Sequence, residues 1–151
     1  MIRIDVFCEE LSLPYKKIGK KIIKAVASTA ADMLELKNAS ITIIVSNDRY
    51  IRKINREFRG HDEPTDVISF SNRENPFPSV DDTCEEIGDI YISMDRADRQ
   101  SHEYRVTLQD EVKRLIVHGI LHLVGYDHER SDEDEDIMLK KEDEICRAII
   151  L

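Results

Sequence analysis

A chain of 151 residues with 41% hydrophobic and 35% charged side chains has enough apolar material for a core of its own, which excludes a disordered segment. No stretch approaches the ~18 consecutive apolar residues of a membrane span, and Met1-Ile2-Arg3-Ile4-Asp5 lacks a basic run leading into a long apolar one, so no membrane contact and a cytoplasmic location are expected. The net charge of −9 excludes a molecule coated in positive potential, although ten acids against Arg130, Lys140 and Lys141 between Asp127 and Glu144 account for most of it.

Taken in chain order, Ile2, Ile4 and Val6 alternate with Arg3 and Asp5, the period of a half-buried strand. Ile18, Ile22, Val26, Ala30, Met33 and Leu36 recur at helical spacing, which predicts a helix from Tyr15 to about Leu36, slightly weakened by Gly19. The β-branched run Ile41 to Val45 predicts a buried strand, and Asn47-Asp48 offers capping oxygens to a short helix ending near Phe58. Glycine, aspartate and proline between Arg59 and Pro64 predict a loop, Val67 to Phe70 a short strand, and Ser71 to Glu85 an exposed loop. A further strand is predicted around Ile87, Ile90 and Ile92, with a short helix from Asp95 to about Glu103.

Leu108, Val112, Leu115, Ile116 and Leu123 predict a helix from Leu108 to Val124, stopped by Gly125. Ser131 is the expected cap of a last helix, whose early acids suit the helix dipole and whose buried face is read as Ile137, Met138, Ile145 and Ile149. No repeat or linker divides the chain, so residues 1–151 are read as one domain. Cys8, Cys84 and Cys146 are odd in number and form no C-x-x-C pair, which predicts reduced, buried thiols.

The segment His118-Gly119-Ile120-Leu121-His122-Leu123-Val124-Gly125-Tyr126-Asp127-His128 carries the chemistry. Helical residues four apart are neighbours, so His118 and His122 can reach one ion. Gly125 can take the left-handed conformation that turns the chain back and delivers His128 to the same ion. A lone H-x-x-x-H pair would more simply be two unrelated polar side chains; the turn and the third histidine change that reading. Three histidines suit Zn2+, with nickel or iron as alternatives, and leave a fourth position where water ionises near pH ~7. Metzincin proteases share this spacing but place a glutamate general base where Gly119 stands, which argues against proteolysis.

These eleven residues resemble the signature H-G-x-L-H-L-x-G-Y-D-H of the YbeY family of rRNA-maturation endoribonucleases, matching every fixed position. Ile54 to Arg59, Asp62 to Phe70 and Ile87 to Ile92 resemble further family segments, so the likeness spans most of the chain. Phe58 stands where tyrosine is frequent, and Ser71-Asn72 follows Phe70 where a proline often follows the phenylalanine. The resemblance implies a single zincin-like α+β domain, with a small mixed sheet of about four strands packed against helices and the metal-site helix near the C-terminal third. It implies one zinc on His118, His122 and His128, cleavage of single-stranded RNA, a role at the 3′ end of small-subunit ribosomal RNA, and ribosome quality control.

The resemblance also gives Arg59 a required role near the metal. Its setting agrees, because Arg49, Arg52, Lys53, Arg56 and Arg59 face only Glu57 within eleven residues. A guanidinium holds phosphate oxygens in a bidentate fork and stabilises charge in a phosphoryl-transfer transition state. Arg49, Arg52 and Lys53 read equally well as the wet face of a helix. Thr65 and Asp66 suit loop-holding hydrogen bonds. Asp127 could orient an imidazole, bond the backbone or face solvent, and His61 and His102 read as ordinary polar side chains. The expected partners are single-stranded RNA, an rRNA precursor, and the ribosome or a ribosomal protein that could meet the acidic last helix; DNA is not expected. The nucleophile is left open between metal-activated water and the RNA's own 2′-hydroxyl. Two rivals remain in view: a zinc hydrolase of a non-RNA substrate, and a non-enzymatic ribosome assembly factor with a structural zinc.

Overall fold

The computed structural model describes residues 2–73, 84–127, 129 and 131–151. Strand β1 (Ile2–Cys8) leads through helix α1 (Lys20–Met33) into β2 (Ala39–Ser46), which lies parallel to β1 with Ile4 beside Ile41 and Val6 beside Ile43. Helix α2 (Asp48–Arg59) and the short β3 (Val67–Ser71) precede β4 (Glu85–Ser93). β4 inserts parallel to β2, and β3 pairs antiparallel along its far side, giving the order β1-β2-β4-β3 with β3 as an edge. Helices α3 (Met94–Glu103), α4 (Leu108–Leu123) and α5 (Asp132–Ala148) follow. This is the α+β arrangement with a four-stranded mixed sheet that the resemblance implies.

Alternation along the strands sends successive side chains to opposite faces. Ile41, Ile43, Ile90 and Ile92 enter the main core with α1, α3, α4 and α5, whereas Ile68 joins a smaller cluster with Ile51 and Ile54 of α2 on the other face. β2 is buried almost throughout, which accounts for its continuous apolar run. Each large side chain so buried contributes roughly 1.5–3 kcal/mol.

Capping at α2 and α5 follows the sequence closely. The Asn47 side chain accepts from the Tyr50 N–H, Ser131 accepts from Asp134, and Gly60 ends α2 in the left-handed region at φ 74°. Four expectations are corrected. α1 begins at Lys20, because Tyr15 and Ile18 exchange backbone hydrogen bonds of 2.8 and 2.9 Å across a tight turn; Ile18 reaches the core from that turn, and Gly19 is the extended N-cap. Ser93, one residue before the helix, caps α3 by accepting from the Arg96 N–H, so Asp95 is already inside it. Ile137 is 49% exposed, since α5 turns Met138, Ile145 and Ile149 inward. The three cysteines are free but only partly buried. Of the loop expected from Ser71 to Glu85, the end residues belong to β3 and β4, and residues 74–83 lie outside the described residues.

Candidate active site

Helix α4 is started by Thr107, whose hydroxyl accepts from the Asp110 N–H, and Asp110 and Glu111 occupy the first turn where the helix dipole favours negative charge. Its stripe of Val112, Leu115, Ile116, Gly119 and Leu123 faces the core. The fit is tight at Gly119, where an added Cβ would lie 2.8 Å from Ile90 Cγ2 and 3.2 Å from Ser69 Oγ. The position that holds a glutamate in metzincins is therefore pressed against the sheet here, and a side chain at it would lift the helix. Two serines fasten the contact: Ser69 Oγ donates to the Gly119 carbonyl at 3.2 Å and Ser71 Oγ to the Leu123 carbonyl at 2.9 Å. Period two on the edge strand thus meets carbonyls four apart on the helix.

With that face fixed, His118 and His122 point toward the edge strand β3. Their Nε2 atoms are 3.2 Å apart. Two imidazole nitrogens bound to one zinc at about 2.0–2.1 Å each stand roughly 3.0–3.4 Å apart, so the pair fits a shared ion. The other nitrogen of His118, Nδ1, is 2.7 Å from Glu142 Oε1 on α5. With Nδ1 turned to that carboxylate, it is the Nε2 atom of His118 that faces His122. Glu142 is 7% exposed on the apolar stripe of α5, between Met138 and Ile145.

His128, the third expected ligand, lies outside the described residues, and among the described residues no group of three His, Cys, Asp or Glu side chains is placed to hold an ion. The reversal expected before it is present. Gly125 has φ 106°, and the N–H groups of Gly125 and Tyr126 donate back to His122 and Leu121 at 3.1 and 3.0 Å.

Arg59 is the last residue of α2 rather than the first of a loop. Its Nη2 donates to the Ser69 carbonyl at 3.1 Å, and its guanidinium carbon lies 5.7 Å from the Phe70 ring centre. Ser69 therefore touches both Arg59 and α4. The result is a cleft of about 520 Å³ lined by Arg59, Ser69, Arg114, His118, His122 and Tyr126 among others, which unites side chains far apart in sequence. The other cations of α2 do not line it. Arg49 pairs with Glu10 at 3.1 Å and Arg52 with Asp62 at 2.9 Å, and the Arg52 hydrogen bond holds the Asp62 carboxyl below its ordinary value. They form the wet face the sequence allowed for.

Arg114, one helical turn before His118, is a cleft residue that the sequence reading missed. Glu111, only 1% exposed, accepts two hydrogen bonds of 2.8 Å from it, and these bonds push the arginine's pKa up. Gln100 donates to the same Glu111 carboxylate at 2.6 Å and reaches Asp66 at 3.3 Å. Asp66 in turn accepts from the Val67 N–H at 2.7 Å, the loop-holding role expected of it. Asp127 accepts from the Glu129 N–H at 2.8 Å. His61 and His102 are exposed and outside the cleft. A signal for Glu142 was present in the sequence as a carboxylate in the i, i+4, i+7 register of an otherwise apolar stripe; none marked Arg114.

The family model described as endoribonuclease YbeY matches residues 4–150 of this chain. Curated endoribonucleases YbeY from Sulfurihydrogenibium sp. and Persephonella marina are 43% and 40% identical to it, over 86% and 89% of this chain and 83% and 86% of theirs. The solution structure of TM1509 from Thermotoga maritima superposes with a TM-score of 0.61 at 27% identity, covering 97% of this chain and 87% of that one. Shared sequence along nearly the whole chain, together with a shared fold, places this protein in the YbeY family of endoribonucleases.

Proposed function

We propose that this chain is a single metal-dependent hydrolase domain that cuts single-stranded RNA, with one zinc held by His118, His122 and His128 and with Arg59 holding the scissile phosphate. The observation that carries the reading is the 3.2 Å approach of the two Nε2 atoms in a cleft that Arg59 also lines. The metal, zinc or in its place nickel or iron, supplies Lewis acidity toward a phosphoryl oxygen or a water. Glu142 keeps the His118 ring in one tautomer and one orientation. Arg59, braced by Ser69 and Phe70, offers its remaining N–H groups to phosphate oxygens and stabilises the charge gained in the transition state. The substrate is an rRNA precursor, matured at the 3′ end of the small-subunit RNA in the cytoplasm and in contact with the ribosome.

Metal analysis of the purified protein, beside cleavage of single-stranded RNA with and without chelator, tests this. Zinc near one per chain and chelator-sensitive cleavage are expected. His118→Ala should lower cleavage on the order of 10³-fold, since a Lewis acid supplies several kcal/mol and each 1.36 kcal/mol is tenfold. Arg59→Ala should lower it as well. Undiminished cleavage by both variants would assign the activity to a contaminant, and ribosome binding that survives loss of His122 with normal rRNA ends would favour a non-enzymatic assembly factor. A product carrying a 2′,3′-cyclic phosphate would assign attack to the RNA's own 2′-hydroxyl.

A further inference from the structure

The far side of β3 holds a second hollow that this chemistry leaves unused. It measures about 540 Å³ and is lined by Phe58, Phe70, Thr42, Asp89 and Arg3, and it shares Arg59, Ser69 and Ser71 with the histidine cleft. The two spaces therefore adjoin at these three residues. Phe58 is 65% exposed, although apolar burial would favour covering it. Its ring stands 5.6 Å from Phe70 in an edge-to-face contact, and Phe70 stands 5.8 Å from Tyr91 in another. Phe58 is thus the outermost ring of a row whose inner members are fixed against Ile51, Ile54 and Ile68.

We propose that Phe58, backed by Phe70, is a stacking platform for one nucleobase of the single-stranded RNA, next to the phosphate held at Arg59. The inference rests on the proposed placement of RNA in the histidine cleft. Three observations favour a base as the occupant. The hollow and the phosphate side have Arg59 in common in their lining. Its charges, Arg3 and Arg59 against Glu86 and Asp89, balance, so it does not select an anion. A rigid exposed ring beside a guanidinium is the combination that binds single strands, because every base has a π face and the cation takes the backbone. Stacking of this kind accepts any base, so the platform sets position along the strand rather than sequence.

The test uses the metal-loaded full chain, a labelled single-stranded oligoribonucleotide, and copies carrying one abasic nucleotide at each successive position. Phe58→Ala should raise Kd and KM on the order of 10-fold, the scale of losing one stacked base, with kcat within a few-fold, and Phe58→Trp should restore binding. One abasic position should weaken the wild type to the same extent and leave Phe58→Ala unaffected. Unchanged Kd and KM in Phe58→Ala, or abasic penalties that add to the substitution at every position, would overturn the platform; a protein partner or a second copy would then be the occupant to seek. Arg59→Ala on the same oligonucleotide separates the two readings. If it weakens binding while Phe58→Ala does not, the platform alone fails; if neither does, the RNA does not lie along this cleft.

Discussion

On one face of the sheet, α1, α3, α4 and α5 close over Ile41, Ile43, Ile90 and Ile92 until those side chains are almost inaccessible, while on the other, among the described residues, α2 is the helix that packs on Ile68, and Phe58 is left in water. The closed face holds the larger apolar area and should carry most of the stability, since burial scales with area removed from water. The thinly covered face meets the polar cleft along β3, where the inward side chains change from Val67 to Ser69 and Ser71 as α4 arrives. Separating the two lets the chain keep a hollow beside its cleft without thinning the core that holds α4.

The sharpest way to break this comparison is a matched pair of truncations read by urea unfolding. Ile116→Ala on the closed face should cost about 4 kcal/mol and Ile54→Ala beneath α2 about 2, both within the range for a buried isoleucine. Equal losses, or a larger one at Ile54, would show that stability is not concentrated where the helices are. A smaller effect is expected at the seam. Gly119→Ala pushes a methyl to 2.8 Å from Ile90 Cγ2, and should destabilise by about 1–3 kcal/mol while loosening the cleft more than it loosens α2. Full stability in this variant would mean that α4 has room the geometry does not show. The smallest expected change is in metal affinity: Glu142→Gln should weaken zinc binding about 10-fold, at the low end of what losing such a partner does, with the unfolding midpoint of the metal-free chain nearly unchanged. A midpoint that drops while affinity holds would make Glu142 a structural residue only.

Local signals carried far into the fold. Asn47, Ser131 and Gly60 act at helix ends as their side chains and backbone freedom dictate, and the alternation of Ile2, Ile4 and Val6 gives β1. Reading failed where a local pattern had two tertiary solutions. Ile18 sits at helical spacing from Ile22 yet enters the core from a turn, and Ile137 looks like its neighbour Met138 until the roll of α5 chooses between them. The site divides the same way. Spacing four on a helix makes His118 and His122 neighbours in any context, whereas the meeting of His118 with Glu142, 24 residues away, depends on how α5 crosses α4.

By itself, then, the sequence determined the elements, the Asn47 and Ser131 caps, the paired imidazoles and the family likeness, because each is written in residues within a few turns of one another. Only the tertiary structure decided that Arg59 and Arg114 share a cleft with those imidazoles, that Glu142 meets His118, and that Phe58 is left uncovered beside Arg59. Those outcomes depend on strand order and helix packing, which place α2, β3 and α4 side by side and which no periodicity along the chain records.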